Sequence, residues 1–592
     1  MRKCSLAVSR IQKAFTPAVL VIALSLYASS PLTAYQNEAR KDATSDSQTT
    51  FRSRSELVLV PTVVTKGKDP VRGLTKDNFI VEQDGKPRQI TVFEAIVPQT
   101  KKLTKKKSGE GFTNLDSDGT PRAMTLIAID ALNLSVGYQE ASRKDIIRFL
   151  SRNVVPNQLI GMVVLSSKGI KVVHDFTSDT ELLVKALEKV SGVANVHNQN
   201  SSLDYAPGSL SVDRGEPSLP KGFESASSRQ PIPTDANGVR DANIAAAEAI
   251  RQSVEQYVKM EDQVLLGQEM NQIRRTLELF QQIAQGLSGY PGRKSVIWAS
   301  SGFRNPMDPV RYRSGELMDL YQRTLKLLSD ANVVVYPVDV RGLQIVTPGA
   351  DATVTREDRF RGVDSTGAAY QSASEKIQTF REFAERTGGT AYFDINNNAK
   401  VFQEAAKDSQ VYYMLGYYLN PGEEQGWHKL KVRLKNADGR VRTRSGFFVS
   451  PATNNPEVSR KQDLLIASRS PFDYTTLQLR GSFSGLAGDG PKRKAEFTLR
   501  VLPSSSVVDE STRSVDLDFV AVARKADTEI AGQTAKTVRT KLPEPAIAQI
   551  KSEGILYRSF LELEPGDYEV RFLVRDNLTG RMGSVLAPLS VK

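Results

Sequence analysis

Short apolar runs alternating with residues at helical spacing constrain this chain more than any other feature. "TLIAID", from Thr125, is followed by "YQEASRKDIIRFLSR", where Ile146, Ile147 and Leu150 fall at helical spacing. "LIGMVVLSS" and "IKVVHDF" precede "SDTELLVKALEKV", with Asp179 placed to cap that helix. "KSVIWASSGF" precedes "SGELMDLYQRTLKLLSDA", and "NVVVYPVDV" is followed further on by "EKIQTFREFAERTGG" and a final strand, "TAYFD". Runs this short and apolar read as strands buried on both faces. Their alternation with helices predicts a mostly parallel sheet with helices on both faces over residues 121–410. A Pro-free stretch from Ala242 to Leu287, with Met270, Ile273, Leu277, Phe280 and Ile283 on one face, predicts a long helix. An Asn/Ser/Pro-rich polar insertion, residues 195–240, interrupts the alternation.

The flanks read as β. In residues 54–97 the "QDGK" turn between "NFIVE" and "RQITVF" is a hairpin signal, because Asp-Gly accepts positive φ. Residues 98–120 form a basic linker with the run "KKLTKKK". Its "NLDSDG" opens like a calcium loop at Asn114, but Thr125 stands where that loop needs a bidentate Glu, so a polar turn is the reading. Residues 411–450 are a β segment, "NADGR" giving a second tight-hairpin signal, and are expected to pair with 54–97 in one sandwich. Residues 451–592 hold about seven strand-like runs, spaced as in an immunoglobulin-like β-sandwich.

At the N-terminus, Arg2, Lys3, Arg10 and Lys13 lead into "AFTPAVLVIALSLYA" and then "SSPLTA". That is the layout of a signal peptide over residues 1–34, with a flexible linker over 35–53, so the chain is expected to be exported to the periplasm or cell surface. The alternative, an uncleaved anchor, stays open. No later segment reaches 18 apolar residues, so no transmembrane span is expected in the mature chain. The single cysteine, Cys4, lies in the leader, which leaves no disulfide and no Cys-ligated metal beyond it. The formal net charge of +12 falls to +8 without the four leader cations, too modest at 592 residues to argue for nucleic acid.

"GLTKDNFIVEQDGKPRQITVF", "LIAID", "DFTSDTELLVKAL", "ERTGGTAYFD", "YYMLGYYLNP", "HKLKVRLK" and "RTRSGFF" occur in an order that resembles the VWFA-related family of exported bacterial proteins first labelled acidobacterial. The α/β segment itself resembles a von Willebrand factor A domain. That resemblance implies a binding or scaffold protein and no known reaction. It also implies a metal site: Asp-x-Ser-x-Ser after the first strand, a Thr from a second loop, and an Asp from a third.

Here Asp130 is kept, but Leu132 and Leu134 replace the two serines, and Ser300 and Ser301 stand where Thr-Asp is implied. No Thr of the second loop can be placed. A hard divalent cation wants about six oxygens in octahedral order, and a leucine offers none. No metal or other cofactor is therefore expected. Two roles remain for the strand end: Asp130 caps its own loop, or Asp130, Asn133, Ser135, Ser300 and Ser301 form a metal-free binding rim for another protein at the envelope or outside it. A metal-dependent adhesin is the alternative, and a hydrolase with an unrecognised site the third reading.

Catalytic motifs are not legible. His174, His197 and His428 are far apart, with no zinc spacing. "GSFSGLAGDG" puts Phe483 where a nucleophile elbow needs serine. "TGGT", Thr387 to Thr390, reads as a helix C-cap at Gly388 or Gly389. The tyrosines of "YYMLGYY" read as sheet packing. The chain is accordingly expected not to be an enzyme.

Overall fold

The computed structural model describes residues 57–67, 69–96, 111–114, 123–134, 136–152, 158–190, 236–308, 311–312, 315–342, 365–395, 398–408, 411–420, 422–449, 456–488, 490–525 and 530–592. The residues call for a mixed α/β chain with several antiparallel sheets, and that is what it is. The segment begins with β1 (Leu57–Lys66), β2 (Asp69–Pro70), β3 (Phe79–Gln83), β4 (Lys86–Arg88) and β5 (Val92–Ile96). Asp84 and Gly85 turn β3 into β4 with φ of 50° and 78°, the positive values a two-residue hairpin loop requires.

Residues 112–113, inside the span read as a basic linker, form β6 (Phe112–Thr113). Beside it Asn114 is buried, donating to the carbonyls of Tyr474 and Leu477 at 2.6 and 2.8 Å and accepting from Leu479 N at 2.7 Å. The Asn114 amide is spent inside the protein, so this part of the linker is an anchor.

The α/β body follows: β7 (Met124–Asp130), α1 (Val136–Arg152), β8 (Leu159–Ser166), β9 (Gly169–Thr177), α2 (Thr180–Glu188), α3 (Ala236–Leu287), β10 (Lys294–Ser300), α4 (Glu316–Asp330), β11 (Val333–Asp339), α5 (Ser365–Thr387) and α6 (Asn398–Lys407). The sheet order is β11-β10-β7-β8-β9. The first four strands are parallel; β9 is an antiparallel edge. Period-two alternation sends Leu126, Ala128, Val296 and Trp298 to one face, under α3, α4 and α5. Ile127, Ile129, Ile297 and Ala299 go to the other, under α1, α2 and α6.

Local chemistry sets the helix ends. Asp179 accepts from Glu181 N and Leu182 N at the start of α2. Gly388 stops α5 with φ +85°; its N–H bonds to Glu385 O, and Gly389 N–H bonds to Ala384 O, the paired bonds of a Schellman cap. "TAYFD" falls short of a strand: it contributes one parallel bridge, Val338 to Tyr392.

The chain then returns to β: β12 (Tyr412–Tyr418), β13 (Gly426–Leu434), β14 (Arg440–Arg442) and β15 (Gly446–Val449). β12 pairs with β1 and β5, while β13 pairs with β3 and β15. The "NADGR" stretch is a corner where a tight hairpin was expected, because β14 leaves β13 and pairs with β1.

The last part carries α7 (Pro456–Arg469), β16 (Leu479–Ala487), β17 (Arg493–Val501), β18 (Ser514–Arg524), β19 (Ile530–Lys541), α8 (Glu544–Glu553), β20 (Ile555–Leu563), β21 (Gly566–Asp576) and β22 (Met582–Val591). Two four-stranded antiparallel sheets, β20-β17-β16-β6 and β19-β18-β21-β22, share one core that includes Phe497, Phe519 and Phe572. The two helices were not expected here. Among the described residues no helix is long and apolar enough to cross a membrane.

Candidate functional site

The parallel register brings Asp130, Leu165, Ser300 and Asp339 to one edge of the central sheet, at the C-terminal ends of β7, β8, β10 and β11. Asp130 shares strand parity with Leu126 and Ala128, and Ser300 shares it with Trp298, so these side chains turn to the α3 face. The sequence-predicted residues Asp130, Asn133, Ser300 and Ser301 are thereby brought together. Ser135 lies outside the described residues.

Asp130 is fully buried and fully bonded. Its Oδ2 accepts from Asn133 Nδ2 at 2.6 Å, Ser300 Oγ at 2.7 Å and Trp298 Nε1 at 2.8 Å. Its Oδ1 accepts from the backbone N–H of Asn133 at 3.0 Å and of Leu132 at 3.2 Å, the loop closure an aspartate makes on its own backbone. A carboxylate offers about four lone-pair directions, and five donors occupy them. Burial pushes the carboxyl pKa up, and hydrogen bonds from Asn133, Ser300 and Trp298 pull against that rise.

The network continues inward. Asn133 Nδ2 also donates to Thr276 Oγ1 on α3 at 3.0 Å, and Gln272 Nε2 of α3 donates to Leu132 O at 2.9 Å. Ser301 Oγ donates to Asn133 O, and Gly302 N donates to Ser300 Oγ at 3.0 Å. The arrangement bolts the β7 loop to β10 and α3.

The expected rim is not a rim. Asp130 and Ser300 have no exposed surface, and Ser301 and Asn133 keep 5% and 6%. A partner cannot reach them without dismantling the loop. Nor do the residues fit the divalent cation that the family resemblance implies. Leu134 is buried in the core on the α1 side, Leu132 packs against the core on the α3 side, and Asp130's oxygens already hold protein donors. The geometry supports the other role, a carboxylate closing its own loop.

Sequence reasoning named Ser300 and Ser301 but missed Trp298 and Thr276, which complete the network. Trp298 sits two residues before Ser300, so strand parity alone put its indole on the Asp130 face. Asp339 ends β11 and is clamped by Arg341, whose Nε and a terminal guanidinium nitrogen reach its two oxygens at 2.9 and 2.7 Å. Just past Ser301, Arg304 lies 3.6 Å from both Glu269 and Glu375, while Arg311 reaches Glu269 at 2.6 Å. Both strand-end carboxylates are thus held by protein groups.

An accessible apolar stripe lies elsewhere, on α3. This helix has 52 residues, about 78 Å at 1.5 Å per residue. Its C-terminal half is buried through Ile273, Leu277, Phe280 and Ile283. Between residues 245 and 264 every described side chain is exposed. Ile250, Tyr257, Met260 and Val264 are 53%, 57%, 63% and 54% exposed. At 100° per residue these four fall within an arc of about 80°, one apolar stripe with the seven-residue spacing of a helix–helix seam.

No protein-family model matches the chain. No curated protein matches it. Among solved structures the chain is similar to an aerotolerance-related membrane protein from Bacteroides fragilis NCTC 9343 carrying multiple mutations to serines. The identity is 14%, with 48% of this chain and 97% of that chain covered, and a TM-score of 0.23. A superposition that loose carries no argument about fold or role.

Proposed function

We propose that this chain is an exported, non-enzymatic binding protein that holds another protein at the cell envelope through the exposed stripe of α3. In this reading the α/β body is a von Willebrand factor A-like platform, the β-sandwiches, the last of them immunoglobulin-like, are its mounts, and no metal ion takes part. The observation that carries it is the stripe of Ile250, Tyr257, Met260 and Val264, exposed on a helix whose other half is anchored in a core. Large apolar side chains gathered on one exposed face are costly to leave in water and mark contact surfaces. Their heptad-like spacing fits a partner that presents an amphipathic helix.

The test is a photo-cross-linking residue placed at Tyr257, and separately at Gln252 on another face of the same helix, in the intact exported chain. The expected outcome is one dominant heterologous adduct from position 257, absent from position 252 and lost when Ile250 and Val264 are both changed to Asp. Equal adducts from both positions would overturn the reading. An adduct only with a second copy of this chain would replace the partner with self-association.

A further inference from the structure

Between α5 and the outward face of the β13–β3 sheet lies a cavity of about 500 Å³, within the usual range for small-ligand sites. Its helix wall carries Glu382, Glu385 and Arg386; its sheet wall carries Trp427, Lys429 and Lys431. The alternation of β13 explains the second set. His428, Leu430 and Val432 are buried, so Trp427, Lys429 and Lys431 share the opposite face.

We propose that this cavity binds a short peptide, its amino end against the Glu382–Glu385 wall and its carboxylate against Lys429 and Lys431. This goes beyond the α3 reading and does not depend on it.

Three observations carry the assignment. First, the charges on the two walls are opposite and unspent. Among the described residues Glu382, Glu385, Lys429 and Lys431 make no ion pair, whereas neighbouring Glu82 is already paired with Arg433. Second, Glu382 is half-buried and Glu385 exposed where they line the cavity, so their carboxylates are open to a donor, and an ammonium group offers three. Third, the apolar floor is prearranged. Arg386 stacks on Trp427 with its guanidinium carbon 4.4 Å from the ring centroid, and Trp427 packs edge-on to Phe448 at 4.8 Å. Arg386 is thereby held away from the two glutamates it would otherwise neutralise. The walls are fixed to one another by Ser445 N donating to Glu385 O and Leu430 N donating to Ser445 O, both at 2.9 Å.

The ligand class follows from matching these groups. A polyamine would satisfy the glutamates and leave the lysines facing cations. A dicarboxylate would do the reverse. A cavity of this volume is about 8 Å across, which an extended di- or tripeptide spans at about 3.4 Å per residue and a free amino acid does not. A central aliphatic side chain would lie beside the Arg386–Trp427 stack.

The experiment is calorimetric titration of the full chain with the tripeptide Ala-Leu-Ala, with its N-acetylated form and with its C-amidated form. The expected result is saturable binding of the free tripeptide, weakened at least tenfold by either cap. The same loss is expected with Glu382→Gln and with Lys431→Met, each checked for an unchanged melting curve. The capped ligands keep the test valid if a variant misfolds. No heat at millimolar tripeptide, or equal affinity for free and capped forms, would overturn the proposal. Neither outcome touches the α3 reading, which is scored by cross-linking.

Discussion

Trp298 donates its indole N–H to Asp130 Oδ2 at 2.8 Å, across the boundary between two adjacent parallel strands. This bond turns a strand-end aspartate, the position where a cation would be sought, into an internal fastener. It also gives the fastener an optical reporter, because the chain has only two tryptophans.

Removing that donor should destabilise the α/β body while the ring still packs. In a Trp427→Phe background, Trp298 is the sole indole. There, Asp130→Ala should shift the fluorescence-detected unfolding transition by about 3 kcal/mol, since it strands several buried donors at once. In the parent chain, followed by circular dichroism, Trp298→Phe should cost about 1–3 kcal/mol, because it removes a buried hydrogen bond to a carboxylate and leaves space beside the smaller ring. Near-zero effects would mean the network contributes nothing.

Divalent cations should leave the protein unmoved at this site. Titrating Mg²⁺, Mn²⁺ or Ca²⁺ to millimolar levels should give the same melting response for the parent chain and for Asp130→Asn. A cation-induced rise in melting temperature that Asp130→Asn abolishes would restore the metal-dependent adhesin reading.

Lys294 should make stability depend on alkaline pH. It is buried, its Nζ donates to Tyr290 O at 2.7 Å, and burial lowers its pKa from 10.5 to about 7. Between those values the unfolded chain binds a proton that the folded chain does not. Stability should therefore rise with pH across that window, by up to about 1.4 kcal/mol per unit. Below pH 7 the charged lysine is buried in full and the penalty is constant. Lys294→Met should stabilise the chain at neutral pH, with the advantage fading towards pH 10.5, as read from denaturant unfolding at each pH.

Gly389 should tolerate no side chain. A Cβ built there falls 2.0 Å from Val335 O on β11. Gly389→Ala must push α5 from the sheet and should cost about 3 kcal/mol or more, seen as a lowered unfolding midpoint. A neutral effect would show that the α5 cap is not what sets this spacing.

How much was legible follows the range of each interaction. The parallel sheet could be read because each strand is an uninterrupted apolar run and each helix has its own period. The Asp84–Gly85 turn and the Gly388–Gly389 cap could be read because their chemistry lies within a few residues. Asp130 was placed at the strand end, and Asn133 beside it, for the same reason. Ser300 and Ser301 could be set beside Asp130 only through the family resemblance, and the indole was not foreseen: Trp298, 168 residues away, reaches Asp130 only after the sheet assembles. Nothing in a linear pattern says that a strand-end carboxylate will be filled by an indole. The "NADGR" corner misled because Asp-Gly announces a turn and not which strand the next residues will join. On α3 the inner stripe stood out because it is denser in large apolar residues. The outer one, spread over Ile250 to Val264, becomes meaningful only when the fold leaves it uncovered.

The uneven burial of α3 has a thermodynamic consequence. Starting a helix is the expensive step, and short helices in water are marginal because they must bear it alone. Here the packed half, through Phe280 and Ile283, supplies a permanent nucleus. The outer turns need only propagate from it, each adding a hydrogen bond at a cost far below that of starting a helix. A partner that covers the stripe would therefore meet a helix already started, and little of its affinity would be lost to winding turns.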